Sequence, residues 1–501
     1  MSELLLLGAM GIEARALRAG APSARVVRTG MGPRRARRAA ASLAAAPEAG
    51  VAVAGFAGAL SDRLAPGEIV VASELRMPDG RLVARCPGAR VIAGMLSRRG
   101  LRAHVGPIVS VAHPVSGGRR VALAEGGALA ADMESAWLAP AAAGRPFVVL
   151  RVVTDTPSRE LWNPFALAAA AAPAWRALRA GASVLAEWAA AIAARELVRA
   201  APRASCAGVE RAIEVVERVL ERYGPPVYMR RQIVHNRHVV DDLEQRGAIC
   251  VEELDQVPDG ATVVFSAHGV SPQVRDDAAR RSLNVVDATC PLVSKVHGEA
   301  RRFADAGYTI VLIGHDGHDE VQGTTGEVPG KIVVLASAEE VDELRVPDSG
   351  RLAYLTQTTL AVDETSGIIE RLQARFPGIV GPRSDDICYA TQNRQDAVKA
   401  LAGDCDLVLI VGSRNSSNSN RLVEVAEAHG CRARLLDDES QLDPVWLAGV
   451  RRIGVSAGAS TPERIVERVE RSLPVFGPIE ARTQAVVDET VRFSLPREVR
   501  D

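Results

Sequence analysis

Three cysteines of this chain stand in matching surroundings. Cys206 in PRASCAGVERAI, Cys290 in DATCPLVSKVH and Cys388 in DDICYATQNRQ each lie at the entrance to a helical pattern. Pro291 suits a first helical position. A helix N-terminus favours the thiolate, so the expectation is three metal-binding or reactive sulfurs, one per α/β unit. Cys250, Cys405 and Cys431 lack such a setting and read as small buried hydrophobes. Three thiolates allow two chemistries. With a histidine they could hold zinc in a hydrolase, but zinc ligands usually come as close pairs, and none of these is paired. Ligands delivered singly from separate units better suit an iron–sulfur cluster with one iron free of protein ligands.

A second set of side chains surrounds those sulfurs in the sequence pattern. His235 (QIVHNR), His268 (SAHGV) and His318 (GHDGHDE) stand at loops or strand ends. Seven of the nine residues from Ser413 to Arg421 are Ser or Asn, at the mouth of a helix. One helix cap needs one such residue, so this run reads as an anion cradle in which Ser416, Ser417 and Asn418 donate. Ser413, Ser419 and Asn420 are expected to cap and shape the turn. Ser460 (VSAGAS) completes a donor set suited to a diphosphate. Glu320 is the carboxylate placed to deliver protons, and Gln357 and Thr358 in TQTT could orient a substrate hydroxyl.

Several elements must bring these groups together. Short apolar runs alternate with helical patterns throughout, which predicts α/β domains with largely buried strands. The runs TVVF, TIVLI, RLAYLT, DLVLIV and RRIGVSA each end in a polar signature. In open α/β sheets ligands bind at the carboxyl ends of strands, so these ends are expected to converge on one pocket.

Composition narrows the classes. A chain of 501 residues needs more than one core. A formal net charge of -1 leaves no basic footprint, which disfavours nucleic acid. The cysteines number seven and are scattered, which argues against a disulfide framework and for a cytoplasmic protein. The segment MSELLLLGAM has no basic n-region and does not read as a secretory leader. The greasy stretch Phe165–Ala194 is broken by Pro173, Arg176, Arg179 and Glu187, so it reads as alanine-rich helix and not as a membrane span. The texture changes near residue 195: six of the seven cysteines and seven of the nine histidines follow it. Two domains are therefore expected, 1–194 and 195–501.

The motifs of the second domain, taken in order, resemble the 4-hydroxy-3-methylbut-2-enyl diphosphate reductase (LytB/IspH) family. The resemblance implies three α/β units around a [4Fe–4S] cluster and the last step of non-mevalonate isoprenoid biosynthesis. Cys206, Cys290 and Cys388 would ligate the cluster. His235, His268, His318, Ser416, Ser417, Asn418 and Ser460 would hold the diphosphate, with Glu320 as proton source and Thr358 beside the alcohol. A ferredoxin or flavodoxin-type protein would supply electrons. The family usually has Gly and an aromatic residue before the first cysteine, where this chain has Ala204 and Ser205.

In the first domain, GAMGIEARAL places Glu13 after the first strand, and RTGMGPRRA offers a Gly30-x-Gly32 turn. The Gly55–Gly58 turn, Asp132 and Glu134 in ALAADMESAW, and Asp155 ending PFVVLRVVTD follow. As a set these resemble the methylthioadenosine/S-adenosylhomocysteine nucleosidase and purine nucleoside phosphorylase family. The implied fold is a nucleoside phosphorylase-like α/β domain, and the implied substrate is a purine nucleoside. Asp155 would be general acid to the purine, Glu134 would grip the ribose, Met133 would pack the sugar, and Glu13 would activate water if the enzyme is a hydrolase. Phe56 replaces the usual small hydroxyl residue, and the segment from Leu75 to Val109 is short. Both features would suit a large greasy 5′ substituent, as in the hopanoid-associated phosphorylases of that family. A bifunctional enzyme is the main expectation. The alternative for this half is a non-catalytic module that forms a homodimer.

Overall fold

The computed structural model describes residues 3–160, 164–346 and 350–500. Two compact units emerge. The first comprises Met1–Leu197 with Asp438–Arg451 and Glu467–Glu480, and the second comprises Val198–Asp437, Arg452–Val466 and Ala481–Asp501.

The first unit is built on an eight-stranded mixed sheet. Its central strand, Gly50–Ala59, pairs in parallel with Leu4–Gly8 on one side and Phe147–Asp155 on the other. All five residues of Leu4–Gly8 are buried, as expected of a strand covered on both faces. Leu5, Leu7, Val51, Val53, Val149 and Val153 form the middle of the core. The alanine-rich stretch forms one helix, Pro164–Ala190, with Pro173 inside it. The late segments are tied in by Trp188, whose Nε1 donates to the Val475 carbonyl (2.8 Å), and by Arg98, which donates to the Leu442 carbonyl (2.8 Å).

The second unit contains three sheets. The first has the order Ala248–Val251, Val227–Arg230, Thr262–Phe265, Asn284–Asp287, and all its pairs are parallel. Ile332–Leu335, Thr309–Ile313 and Leu352–Thr356 make a second parallel sheet. The third is built around Leu407–Val411, which pairs in parallel with Arg432–Leu436 and Arg452–Ala457. Helices follow the strands, so the βα loops of every sheet open at the strand carboxyl ends. Each sheet has its own apolar cluster, represented by Val264, Val311 and Val408, all fully buried. Among the described residues no helix is long and apolar enough to cross a membrane.

Candidate active sites

Each of the three cysteines is the N-cap of a helix: Cys206 before Ala207–Tyr223, Cys290 before Pro291–Asp305, and Cys388 before Tyr389–Ala402. Together they line one cavity. A side chain at Gly208 would not fit there, since its Cβ would lie 2.7 Å from Cys290 Sγ and 3.9 Å from Cys206 Sγ. At these helix ends burial acts against the dipole. Burial outweighs the helix ends, pushing the Cys290 thiol to about 11 and the Cys388 thiol to about 12, and the nearby Cys206 raises both further. Sulfurs that line one cavity, two of them driven toward the neutral thiol by burial, need a cation among them to become thiolates together. The donor set therefore fits an iron–sulfur group.

Around the sulfurs the same cavity is lined by His235, His268, His318, Glu320, Thr358, Ser416, Ser417, Asn418 and Ser460. They follow six strands of three sheets, which is why so many separate motifs were needed to build one pocket. The His235 and His268 rings stack with centroids 4.0 Å apart, and His318 sits edge-on at 5.3 Å from His235. Burial lowers all three histidines, His318 to about 4. The Nδ1 atoms of His235 and His268 are buried without a partner. Ligand atoms of His235, His268 and Asp319 lie within 4.8 Å of one another, but the Asp319 carboxylate is already paired with Arg231.

In the Ser/Asn run the cap falls to Ser416 itself, whose Oγ accepts from Ser419 N (3.3 Å) and from Ser460 Oγ (3.3 Å). Asn420 shapes the turn by donating to the Arg414 carbonyl (2.7 Å). Asn418 is held at both ends, donating to Thr391 Oγ1 (3.4 Å) and accepting from Ala459 N (2.9 Å). Thr391 was not anticipated from the sequence. Its amide donates to Cys388 Sγ (3.3 Å), so it links the sulfur site to the anion cradle. Phe493, from the C-terminal tail, also lines the cavity and carried no sequence signal.

Glu320 is fully enclosed. It accepts from Thr358 N (2.8 Å) and from Thr358 Oγ1 (3.0 Å). Burial lifts its carboxyl to about 7 against the pull of those two hydrogen bonds. An acid poised near neutrality can give up a proton at working pH. Gln357 lies behind it, its Oε1 accepting from His315 N (3.2 Å).

Residues 197–474 match the family model described as LytB protein. The chain belongs to the LytB family. The 4-hydroxy-3-methylbut-2-enyl diphosphate reductase of Bordetella bronchiseptica is 56% identical over 302 residues, covering 60% of this chain and 93% of that one. The reductase of Mycolicibacterium paratuberculosis is 56% identical over 307 residues, covering 61% and 92%. Among solved structures, the E-1-hydroxy-2-methyl-but-2-enyl-4-diphosphate reductase from Plasmodium falciparum superposes with a TM-score of 0.59 at 38% identity, covering 61% of this LytB chain and 97% of that one. LytB identity implies an iron–sulfur protein, in keeping with the sulfur geometry. Residues 11–179 match a second model, described as Phosphorylase superfamily, so a phosphorylase-type domain precedes the LytB part.

The acids of that preceding domain are arranged along the central strand. Glu13 is buried and accepts from Phe56 N (2.7 Å) and Met10 N (2.7 Å). A Cβ on Gly55 would lie 2.4 Å from Glu13 Oε1 and 2.6 Å from Arg151 Nη1, so only glycine admits this packing. Arg151, unforeseen in the sequence, is fully buried and pairs with Asp132 (2.6 Å) and Glu134 (3.6 Å). Glu134 also accepts from Gly32 N (3.0 Å), which explains the Gly30-x-Gly32 turn. Burial raises the Glu134 carboxyl despite Arg151. Met133 packs against the Leu60 and Val109 cluster. Asp155 stands in register with Gly58, three residues along the strand from Gly55. Its Oδ2 is paired with the buried Arg120. Oδ1 accepts from Thr154 Oγ1 (3.1 Å).

Proposed function

We propose that the second unit reductively removes the hydroxyl of 4-hydroxy-3-methylbut-2-enyl diphosphate, giving isopentenyl and dimethylallyl diphosphate. The observation that supports this most is that, of the thirteen side chains singled out for that chemistry, all but Gln357 line one cavity. Overall the allylic C–O bond breaks, two electrons and two protons enter, and water leaves. Cys206, Cys290 and Cys388 would hold a [4Fe–4S] cluster. When bound, such a cluster supplies electrons one at a time and an iron with a free coordination position. An external one-electron donor of ferredoxin or flavodoxin type would reload it.

The chain's own residues do the rest. Ser416, Ser417, Asn418 and Ser460 donate to diphosphate oxygens at the helix N-terminus. The histidines enter neutral, and the unpartnered Nδ1 atoms of His235 and His268 acquire protons as the anion raises their basicity, whereas His318 Nδ1 already accepts from Glu320 N (3.2 Å). When Glu320 carries the proton its hydrogen bond with Thr358 Oγ1 (3.0 Å) reverses, and the proton passes through that hydroxyl toward the leaving oxygen. Burial of both residues keeps bulk water from short-circuiting this relay. Anaerobically reconstituted protein with a strong one-electron donor should convert the diphosphate to both products. A colourless, zinc-loaded protein without that conversion would sink this reading.

In the first unit the arrangement supports cleavage of a purine nucleoside at its N-glycosidic bond. Glu13 would activate the attacking oxygen, Glu134 would hold the ribose hydroxyls, and Asp155 would meet the leaving base. Adenine release from 5′-substituted adenosines should fall by about 10²-fold or more in Asp155→Asn, the usual weight of a general acid. Equal rates would remove the assignment.

A further inference from the structure

Each cysteine helix carries one cation roughly one and a half turns in, and each cation reaches to the segment leading to a different cysteine. On the Cys206 helix, Arg211 Nη1 donates to the carbonyls of Ala288 (3.1 Å) and Thr289 (3.1 Å), the two residues before Cys290. On the Cys290 helix, Lys295 Nζ donates to the carbonyls of Ser384 (2.8 Å) and Asp385 (2.6 Å) and to Asp386 Oδ1 (3.2 Å), just ahead of Cys388. On the Cys388 helix, Arg394 donates through Nε to the Ala204 carbonyl (2.9 Å) and through Nη2 to the Ser205 carbonyl (3.3 Å), the two residues before Cys206. The sequence of grips closes on itself.

We propose that Arg211, Lys295 and Arg394 are positioning residues that form this closed ring and fix the triangle of sulfurs. The proposal rests on the reading that those sulfurs hold the cluster. Three features support a role beyond general packing. Each cation bonds carbonyls on the approach of the next cysteine, beside which Arg211 Nε donates to the Ser494 carbonyl (2.8 Å) and Arg394 Nη1 to the Ala390 carbonyl of its own helix (2.9 Å) and to Glu489 (2.9 Å). Each grip is charge-assisted, the strong form of hydrogen bond. The Arg394 grip also restrains Ala204, which adopts φ 61°, a left-handed conformation unfavourable for an L-residue with a side chain. Glycine would take that conformation freely, so in this chain the arginine holds what the backbone alone would not.

The ring predicts a directional result. Apoprotein is treated with limiting iodoacetamide, and alkylation of each cysteine is followed by mass spectrometry. Arg211→Met should speed alkylation of Cys290, Lys295→Met that of Cys388, and Arg394→Met that of Cys206, each by roughly tenfold, the loss expected for about one charge-assisted hydrogen bond. In each variant the cysteine on the mutated helix itself should keep its wild-type rate. Lys295→Arg should restore the wild-type pattern at Cys388. Arg394 is fully buried, so Arg394→Met is the variant most at risk of misfolding. Lys295 and Arg211 are partly exposed and keep the test open. After reconstitution the three Met variants should lose visible absorbance in air several-fold faster than wild type. Uniform acceleration at all three cysteines, acceleration at the mutated helix's own cysteine, or no change would each overturn the ring. Failure of wild-type protein to take up iron would instead overturn the cluster reading, whatever the alkylation pattern.

Discussion

In the first unit the acidic groups already have their counter-charges: Arg151 between Asp132 and Glu134, and Arg120 against Asp155. In the second unit the corresponding groups wait. His235 and His268 keep buried Nδ1 atoms without partners, and the Cys290 and Cys388 thiols are driven toward the neutral form by burial. The difference shows two ways of preparing a site for charge. An oxocarbenium-like transition state would bring transient positive charge, which acids held by internal arginines could meet. A diphosphate and a metal cluster bring large permanent charges of their own, so the protein leaves its groups neutral until those charges arrive.

The largest expected effect tests the second half of that contrast. Cys388→Ala should abolish reductase turnover, a fall of about 10³-fold or more, with loss of the broad visible absorbance. Nucleoside cleavage in the same preparation should be unchanged. Retained absorbance and turnover would remove Cys388 from the site.

Glu320→Gln should lower kcat by about 10²–10³-fold with little change in KM, since it removes a proton and not a binding contact. The wild-type profile should share its cause. The acid form is the competent one and its pKa is about 7, so kcat should be level below that pH and fall as pH rises through it. A flat profile across pH 7 would place the proton source elsewhere.

Asn418→Ala should raise KM for the diphosphate by roughly tenfold to a hundredfold, the worth of hydrogen bonds to a charged group, while the visible spectrum stays intact. Bleaching alongside weaker binding would mean that Asn418, through Thr391, supports Cys388 more than the anion.

Arg120→Met sharpens the first half of the contrast. Both members of the Arg120–Asp155 pair are buried, so removing one leaves a carboxylate without compensation, a cost of about 3–5 kcal/mol. The expected reading is a lower thermal midpoint for the first unit alone, with reductase activity preserved. An unchanged midpoint would mean that the Arg120–Asp155 pair contributes nothing to the stability of that unit.

Much of the second site was legible in the sequence because its parts are polar residues at the ends of apolar runs, where the fold class says ligands bind. The Ser/Asn run could be read as a cradle from its excess over what one cap requires. The assignment within the run was not legible, since Ser416 takes the cap only because Ser419 N and Ser460 Oγ both point at it. The balance at the thiols was not legible for a related reason: helix position is visible in sequence, but the burial that opposes it is not. In the first unit, Glu13, Glu134 and Asp155 stood out at strand ends. Arg120 and Arg151 did not, because arginine is abundant throughout this chain and nothing local marks the ones that fold inward.

By itself the sequence determined which residue types stand at each strand end and each helix entrance, and hence the two α/β families and the chemistry open to them. Those are properties of neighbours along the chain, governed by periodicity, capping and side-chain type. Only the tertiary structure decided which of these ends meet. It set three cysteines from three helices around one cavity, closed a ring of cations behind them, and gave the first unit two segments from beyond residue 437. The physical reason is that burial, charge pairing and desolvation depend on what packs across space, and sequence separation carries almost no information about that.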